Sequence, residues 1–414
     1  MRIALLTYRG NMFCGGQGIY AAYIARELHR LGHSVHVIAG PPLPDLEAGI
    51  PLHEIPNHNF FAREGPDALP WPRPLRALWP SHLWELGLTR LGVFPEMTAF
   101  SLRLLVRWRA LLRRHAFDVV LDNQSLGWGL LGLQATGVPV VGVVHHPLQI
   151  DRLADFEIEP SFRRKWKRTL YFPMFMQERV VPRLAKILTV SHASAREIER
   201  FFGIPRKRIA VVYNGTDSQI FRPLEREKEC ELIFVGRTED RKKGIPYLLE
   251  ALAQTPKWIR LKIVDGRIPR DGLVPRKIRE LGLRKRVVLV ERMLSVEELV
   301  AEYSTARIAI VPSFFEGFGF PASEAMACGL PVIATDGGAL PEVVGSDGAA
   351  GRIVPFRDPR ALAAAIRELA LDPARSDQIG RAARARVERV FSWREAGQRT
   401  ASVLEDVVRA HRRP

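Results

Sequence analysis

The chain has 414 residues, 47% of them hydrophobic, and a formal charge of +16. That length exceeds one ordinary core and suits two domains of about 200 residues each, while the basic excess runs through both halves, which excludes a basic tail and favours anionic partners such as nucleotides, phosphorylated substrates or acidic lipid headgroups. Cys14, Cys230 and Cys328 stand far apart without a Cys-x-x-Cys spacing, which argues against a disulfide framework or a cysteine zinc site and fits a reducing, cytoplasmic location.

MRIALLTY reads as a first strand, RIALLTY (2–8), too short an apolar run for a signal peptide. Gly15 and Gly16 then precede a helical stretch that runs to about Leu31 and stops at Gly32. Their amides would open a helix N-terminus, a ready anion site, although a plain turn explains the pair as well. SVHVIAG (34–40) is the next strand. Residues 40–97, rich in Pro, Trp and His, keep no period and read as loops and short helices or as a poorly ordered excursion.

FSLRLLVRWRALLRRH (100–115) places Leu104, Leu105, Trp108, Leu111 and Leu112 on one face and Arg103, Arg107 and Arg114 on another. RRKWKR (163–168) packs five cations around a tryptophan. Basic, aromatic-bearing helices of this kind can lie on an anionic membrane; a helix packed on its own sheet, with a solvated basic face, is the reading preferred here. No motif supports a nucleic-acid partner. Between these segments come the strands DVVLD (118–122), PVVGVV (139–144) and KILTVS (186–191). The uncharged stretch 123–144 has membrane-spanning length, but its glycines and Pro139 divide it into strand end, helix, turn and strand.

A second series of strands follows: RIAVVYN (208–214), ELIFVGR (231–237), RLKIVDG (260–266), RVVLVE (286–291), RIAIVPS (307–313), PVIAT (331–335) and GRIVP (351–355). Short apolar runs alternating with helical stretches are the pattern of parallel β-α-β units. Two such series imply an α/β chain with two doubly wound, Rossmann-like parallel sheets. The domains are expected at 1–205 and 206–390, with a seam near GIPRK (203–207), and 391–414 as a final amphipathic helix.

FFEGFGFPASEAMACGLPVIATDGG (314–338) holds the densest site. Gly317 and Gly319 permit a tight turn whose amides, with that of Phe318, can face a ligand. Pro321 suits a first helical position and Gly329 a helix stop. Glu324 is then expected in the first helical turn and Glu316 in the loop before it, both at the carboxyl ends of strands, where open α/β sheets bind ligands. Carboxylates there can accept paired hydroxyl protons of ribose or hexose. A helix-stabilising acid and a solvated loop residue account for the same spacing. Arg237 and Lys243 set two cations at a sheet edge, able to neutralise a departing nucleoside diphosphate; for RTEDRKKG in isolation a solvated charge run is the plainer reading. His145 and His146 end the strand VVGVV, where a histidine is either structural or able to bind a sugar hydroxyl and move a proton. The chain has no Asp-x-Asp, so no metal and no cofactor are expected.

The E-x7-E pair Glu316 and Glu324 with AMACGLPVIATDGGALPEVV resembles the retaining glycosyltransferases of family 4. FCGGQGIYAAYIARELHRLGHSVHVIA (13–39), VVGVVHHP (140–147), TVSHASAREI (189–198), VVYNGTD (211–217) and FVGRTEDRKKGIPYLLEAL (234–252) follow that family's blocks in order. The resemblance covers most of the chain and is weakest over 41–117. It implies the GT-B architecture, two Rossmann-like domains facing a cleft, with the last helix crossing back onto the first.

It further implies transfer of a hexose, with retention, from a UDP- or GDP-hexose to an acceptor hydroxyl on a lipid, glycan or small molecule. The roles it implies are these: Gly15, Gly16, Arg237 and Lys243 at the donor diphosphate, Glu324 at the ribose, Glu316 with the Gly317, Phe318 and Gly319 amides at the donor hexose, and His145 as the active-site histidine. The family's Arg-to-Lys spacing is one residue shorter than Arg237 to Lys243, which leaves Lys242 as a rival, and His146 stands where an acid is frequent. The expected location is cytoplasmic, with peripheral contact at the inner membrane face as an option. A sugar-nucleotide epimerase on the same fold, or a non-catalytic subunit that binds a membrane or protein partner, are the alternatives.

Overall fold

The computed structural model describes residues 1–11, 15–57, 83–85, 87–88, 95–158 and 174–412, with nothing said of side chains 154–158. The excursion expected at 40–97 therefore lies largely outside the described residues, as do RRKWKR and Cys14. The chain forms two compact units, one of Met1–Val190, Ser194–Val212 and Trp393–Pro414, the other of Ser191–Ala193 and Tyr213–Ser392.

The strands of the first unit are β1 (Arg2–Thr7), β2 (Ser34–Ala39), β3 (Leu52–Glu54), β4 (Val119–Asn123), β5 (Val140–Val144), β6 (Lys186–Thr189) and β7 (Ile209–Val211). They make one parallel sheet in the order β3-β2-β1-β4-β5-β6-β7. The second unit carries β8 (Cys230–Val235), β9 (Leu261–Asp265), β10 (Val287–Glu291), β11 (Ala306–Val311), β12 (Val332–Thr335) and β13 (Gly351–Val354). Their order is β10-β9-β8-β11-β12-β13, again all parallel. β4, β5 and most of β1 are buried end to end, as strands covered by helices on both faces must be. In each sheet the strand order reverses once, between β1 and β4 and between β8 and β11. Those reversals open a crevice at the carboxyl ends of the strands, where a ligand can enter.

Two expectations are corrected. RIAVVYN was placed in the second series, but β7 pairs with β6 through Leu188 and Ala210 and closes the first sheet. Its alternating apolar residues fit either sheet, and the short turn Arg206–Arg208 that joins it to the preceding helix favours the nearer one. β3, unforeseen, is an edge strand of three residues, LHE, too short to show a period.

The helix Glu96–His115 buries Leu104 and Trp108 completely against the sheet, with Leu105, Leu111 and Leu112 packed beside them. Trp108 Nε1 donates to Thr136 Oγ1 at 2.9 Å, so the ring is held at its polar end as well. The arginine face is also engaged in part: Arg103 pairs with Glu85, and Arg107 donates to the Glu54 carbonyl at 3.1 Å. The apolar face thus serves the core. Among the described residues no helix is long and apolar enough to cross a membrane.

The last helix, Trp393–Arg412, belongs to the first unit and packs on Gly16–Arg30. Trp393 stacks on Tyr23 with ring centroids 4.8 Å apart, and a Cβ on Gly397 would collide with Glu27, which is why the two helices approach so closely there. Arg412 pairs with Asp118 at 2.7 Å.

Candidate active site

In the second unit the site grows from the ends of β8 and β11. Two residues past β8, Arg237 stands exposed and makes no side-chain hydrogen bond or ion pair among the described residues. Beside it, Asp265 at the end of β9 accepts from both the amide and the hydroxyl of Thr238 at 2.7 Å, which fixes the turn. A 3₁₀ turn, Arg241–Lys243, then ends at Gly244 in the left-handed region, φ 65°. A Cβ at Gly244 would strike the Pro312 carbonyl, so glycine is required both by conformation and by the close approach of the loop after β11. The Phe314 amide donates to the Lys242 carbonyl at 2.6 Å, tying the two loops together.

That contact brings Lys243 onto Glu316. Lys243 Nζ lies 2.7 Å from Glu316 Oε1, which also accepts from Ser313 Oγ at 2.7 Å. Burial raises the Glu316 carboxyl, but the Lys243 charge and these hydrogen bonds outweigh it and hold it below its ordinary value. Glu316 is therefore an ionised, fixed acceptor and no solvated loop residue. Of the two rival lysines, Lys243 is the one seated on it. The Glu316 carbonyl accepts from Ala339 at 2.9 Å, pinning the loop from behind. The Phe318 ring points into the protein against Phe320 and Phe391, while the Phe318 and Gly319 amides make no hydrogen bond among the described residues.

Glu324 differs from expectation. The helix is Phe320–Ala327, so Glu324 is its fifth residue and no acid occupies the first turn. The loop geometry starts the helix at Phe320, with Pro321 in its first turn, and this moves Glu324 beyond the helix end where a dipole argument applies. Its carboxyl is buried and accepts from the Tyr303 hydroxyl at 3.3 Å. Burial pushes it up to about 7, with the Tyr303 bond and the Lys243 charge pulling the other way. One lysine thus acts on both carboxyls, and their environments hold one ionised and leave the other poised near neutrality.

The end of β10 and the residue after it also have defined contacts. Glu291 accepts from the Ile268 amide at 3.3 Å, and the exposed Arg292 pairs with Glu298 at 2.6 Å.

In the first unit, Gly15 has φ 92° and precedes the helix Gly16–Arg30, whose first turn carries no acid. His145, one residue past β5, is buried. Its Nε2 lies 2.8 Å from Asn123 Oδ1. The Asn123 amide nitrogen donates to the Gln17 carbonyl at 2.9 Å, which orients the group so that Oδ1 must accept. The His145 proton is therefore on Nε2, and Nδ1 keeps a lone pair. Burial, and next the neighbouring His146, bring His145 down to about 3, so the ring is neutral at any physiological pH. The Gln124 side chain accepts its backbone amide at 2.6 Å, and Tyr20 meets the ring edge-on at 5.0 Å. His146 reaches Asp151 at 3.1 Å, so an acid adjoins it although none follows His145 in sequence.

Sequence reasoning did not select Asn123, Gln124, Tyr20, Ser313 or Tyr303. The first two carried a usable signal, polar side chains directly after an apolar strand. Tyr303 carried none, since its tie to Glu324 spans 21 positions.

Two doubly wound parallel sheets, with cations and carboxylates at the strand ends of the second, define a GT-B glycosyltransferase, and comparison with known proteins agrees. Residues 14–220 match the family described as Glycosyltransferase Family 4, and residues 216–386 the one described as Glycosyl transferases group 1. The chain belongs to glycosyltransferase family 4 and is a glycosyltransferase. It is 39% identical to the MMP alpha-(1->4)-mannosyltransferase of Mycolicibacterium hassiacum, over 99% of this chain and 98% of that protein. With a D-inositol 3-phosphate glycosyltransferase of Streptomyces avermitilis it shares 28% identity over 100% of this chain and 89% of the other. Among solved structures, the sucrose-phosphate synthase of Thermosynechococcus elongatus superposes with a TM-score of 0.75 at 21% identity, covering 99% and 100% of the two chains. Anabaena HepE, solved with UDP and glucose, gives 0.70 at 19% identity over 98% and 99%.

Proposed function

We propose that this protein moves a hexose, with mannose the first candidate, from a nucleoside-diphosphate sugar to an acceptor hydroxyl with retention of configuration and without a metal ion. The observation that carries the reading is the Lys243–Glu316–Ser313 cluster at the end of β11, a fixed carboxylate and cation beside the exposed Arg237. The full-length relative named as an alpha-(1->4)-mannosyltransferase favours mannose, and the neighbour solved with UDP and glucose favours a nucleotide sugar as donor.

Arg237 and Lys243 take the charge that develops on the leaving diphosphate, the part a metal ion plays in other transferases. The amides of Gly15 and Gly16 at their helix start assist. Glu324 accepts from the ribose hydroxyls. Glu316 and the amides of Gly317, Phe318 and Gly319 hold the hexose. His145, neutral and with Nδ1 as its remaining acceptor, orients the sugar by accepting a hydroxyl proton in a hydrogen bond. It is a poor base, and Glu316 is occupied by Lys243, so neither is suited to attack the anomeric carbon. The acceptor oxygen then enters on the face the diphosphate leaves: the new C–O bond forms as the C1–O–phosphate bond breaks, and the phosphate oxygen takes the acceptor's proton.

The test is incubation with GDP-mannose and UDP-glucose, with and without glycan acceptors, followed by NMR of the products after chelation of metals. An α-linked product from an α-linked donor is expected. A β-linked product, or activity abolished by the chelator, would overturn retention or metal independence respectively. Isomerised donor in the absence of acceptor would favour the epimerase.

A further inference from the structure

At the far edge of the first sheet, three imidazoles converge from residues widely separated in sequence. Ile38 on β2 is the register partner of His53 on β3, and side chains two apart on a strand share a face, so His36 and His53 project from the same side. The helix Glu96–His115 ends by placing His115 over them, immediately before Ala116 turns the chain with φ 49°. Ring centroids lie 4.4 Å apart for His36 and His115, 5.0 Å for His53 and His115, and 5.2 Å for His36 and His53. Phe117 walls the cluster, meeting His36 edge-on at 5.4 Å.

Hydrogen bonding does not satisfy this group. His36 Nδ1 and His53 Nε2 are 2.9 Å apart and share one bond, while His115 Nε2 is buried without a partner. A buried ring nitrogen left unpaired calls for an explanation such as an ion. One ring nitrogen from each residue lies within 4.8 Å of the other two.

We propose that His36, His53 and His115 bind one divalent transition-metal ion of the zinc, cobalt or nickel class, with water completing the coordination. The donor set is all nitrogen, which suits such ions and not magnesium or calcium, whose shells are built of oxygen. Metal–nitrogen bonds of about 2.0–2.1 Å put tetrahedral nitrogens about 3.3 Å apart; small torsions of three partly exposed rings reach that from the observed spacing. The cluster stands at the β3–β2 edge of the sheet, with β1 and β4 between it and β5, the strand that leads into His145. The ion therefore ties the short edge strand β3 to β2 and to the helix, apart from the transfer chemistry.

The experiment uses tag-free, full-length protein stripped of metal. One equivalent of CoCl₂ is expected to give the visible bands of a four-coordinate cobalt site, zinc to displace them, and zinc, but not magnesium, to raise Tm. His53→Gln and His115→Gln should each lose the bands and the shift, while His411→Gln, on the surface of the last helix, should keep both. Absence of stoichiometric cobalt or zinc binding by the wild-type protein in calorimetry would overturn the proposal whatever the variants do, as would bands that survive in His53→Gln.

Discussion

Glu316 and Glu324 are eight positions apart in sequence and opposite in character. Lys243 holds the first ionised, and burial leaves the second near pH 7. Ribose hydroxyls that donate to a carboxylate stabilise its charged form, so nucleotide binding at pH 7 should release about half a proton from Glu324. Calorimetry in two buffers of different ionisation enthalpy measures this, and Glu324→Gln should abolish it. Equal proton release by that variant would place the ribose elsewhere. His145 has the inverse behaviour: it is held at about 3 when folded against an ordinary 6.5. The unfolded chain therefore binds more protons between these values, and stability is fully present above about pH 6.5 and lost as pH falls toward about 3. Urea unfolding across pH 4–7 should show this slope, flattened in His145→Gln. Lys243→Ala should lower turnover by about 10²–10³ with the fold retained, because it removes a diphosphate contact and releases Glu316; turnover within a factor of about three of wild type would remove Lys243 from the mechanism.

Most strands were legible because fully buried parallel strands write themselves as short runs of Val, Ile and Leu bounded by glycine and proline. β3 was not, because three residues of an edge strand show no period, and the sheet of β7 was not, because partnership is tertiary. The helix Glu96–His115 was legible in its two faces and in its packing on the first sheet; the ties of Arg103 and Arg107 on its basic face were not. With Trp108 wholly buried and hydrogen-bonded, Trp108→Ala should destabilise the protein by about 3–5 kcal/mol, read as a drop in the urea midpoint. A loss under about 1 kcal/mol would mean that the indole is not in the core. Glu324 shows the limit of motif reading: the E-x7-E spacing located the residue, but the start of its helix, set by the loop from Gly317 to Gly319, decides which turn it occupies.

Over the whole molecule, the residues singled out in sequence divide between the units. Gly15, Gly16 and His145 belong to the first, and Arg237, Lys243, Glu316 and Glu324 to the second. Motif order was enough to point to family 4, and several of the blocks run out of the carboxyl end of a strand into the loop or helix that follows. Tyr303 was illegible because its tie to Glu324 crosses 21 positions, and Asn123, although it left a polar signal at the end of an apolar strand, did not show its partner because His145 lies 22 positions on. The three-histidine cluster, drawn from positions 36, 53 and 115, is hidden for the same reason.

The central claim is that the second unit binds the donor nucleotide through Arg237 and Glu324. Calorimetric titration of UDP and of GDP into the wild-type protein, Arg237→Ala and Glu324→Gln tests it most directly. One nucleotide should bind with a stoichiometry of about one, and each variant should weaken it at least about tenfold, or ~1.4 kcal/mol. Binding of neither nucleotide, or undiminished affinity in both variants, would contradict the account.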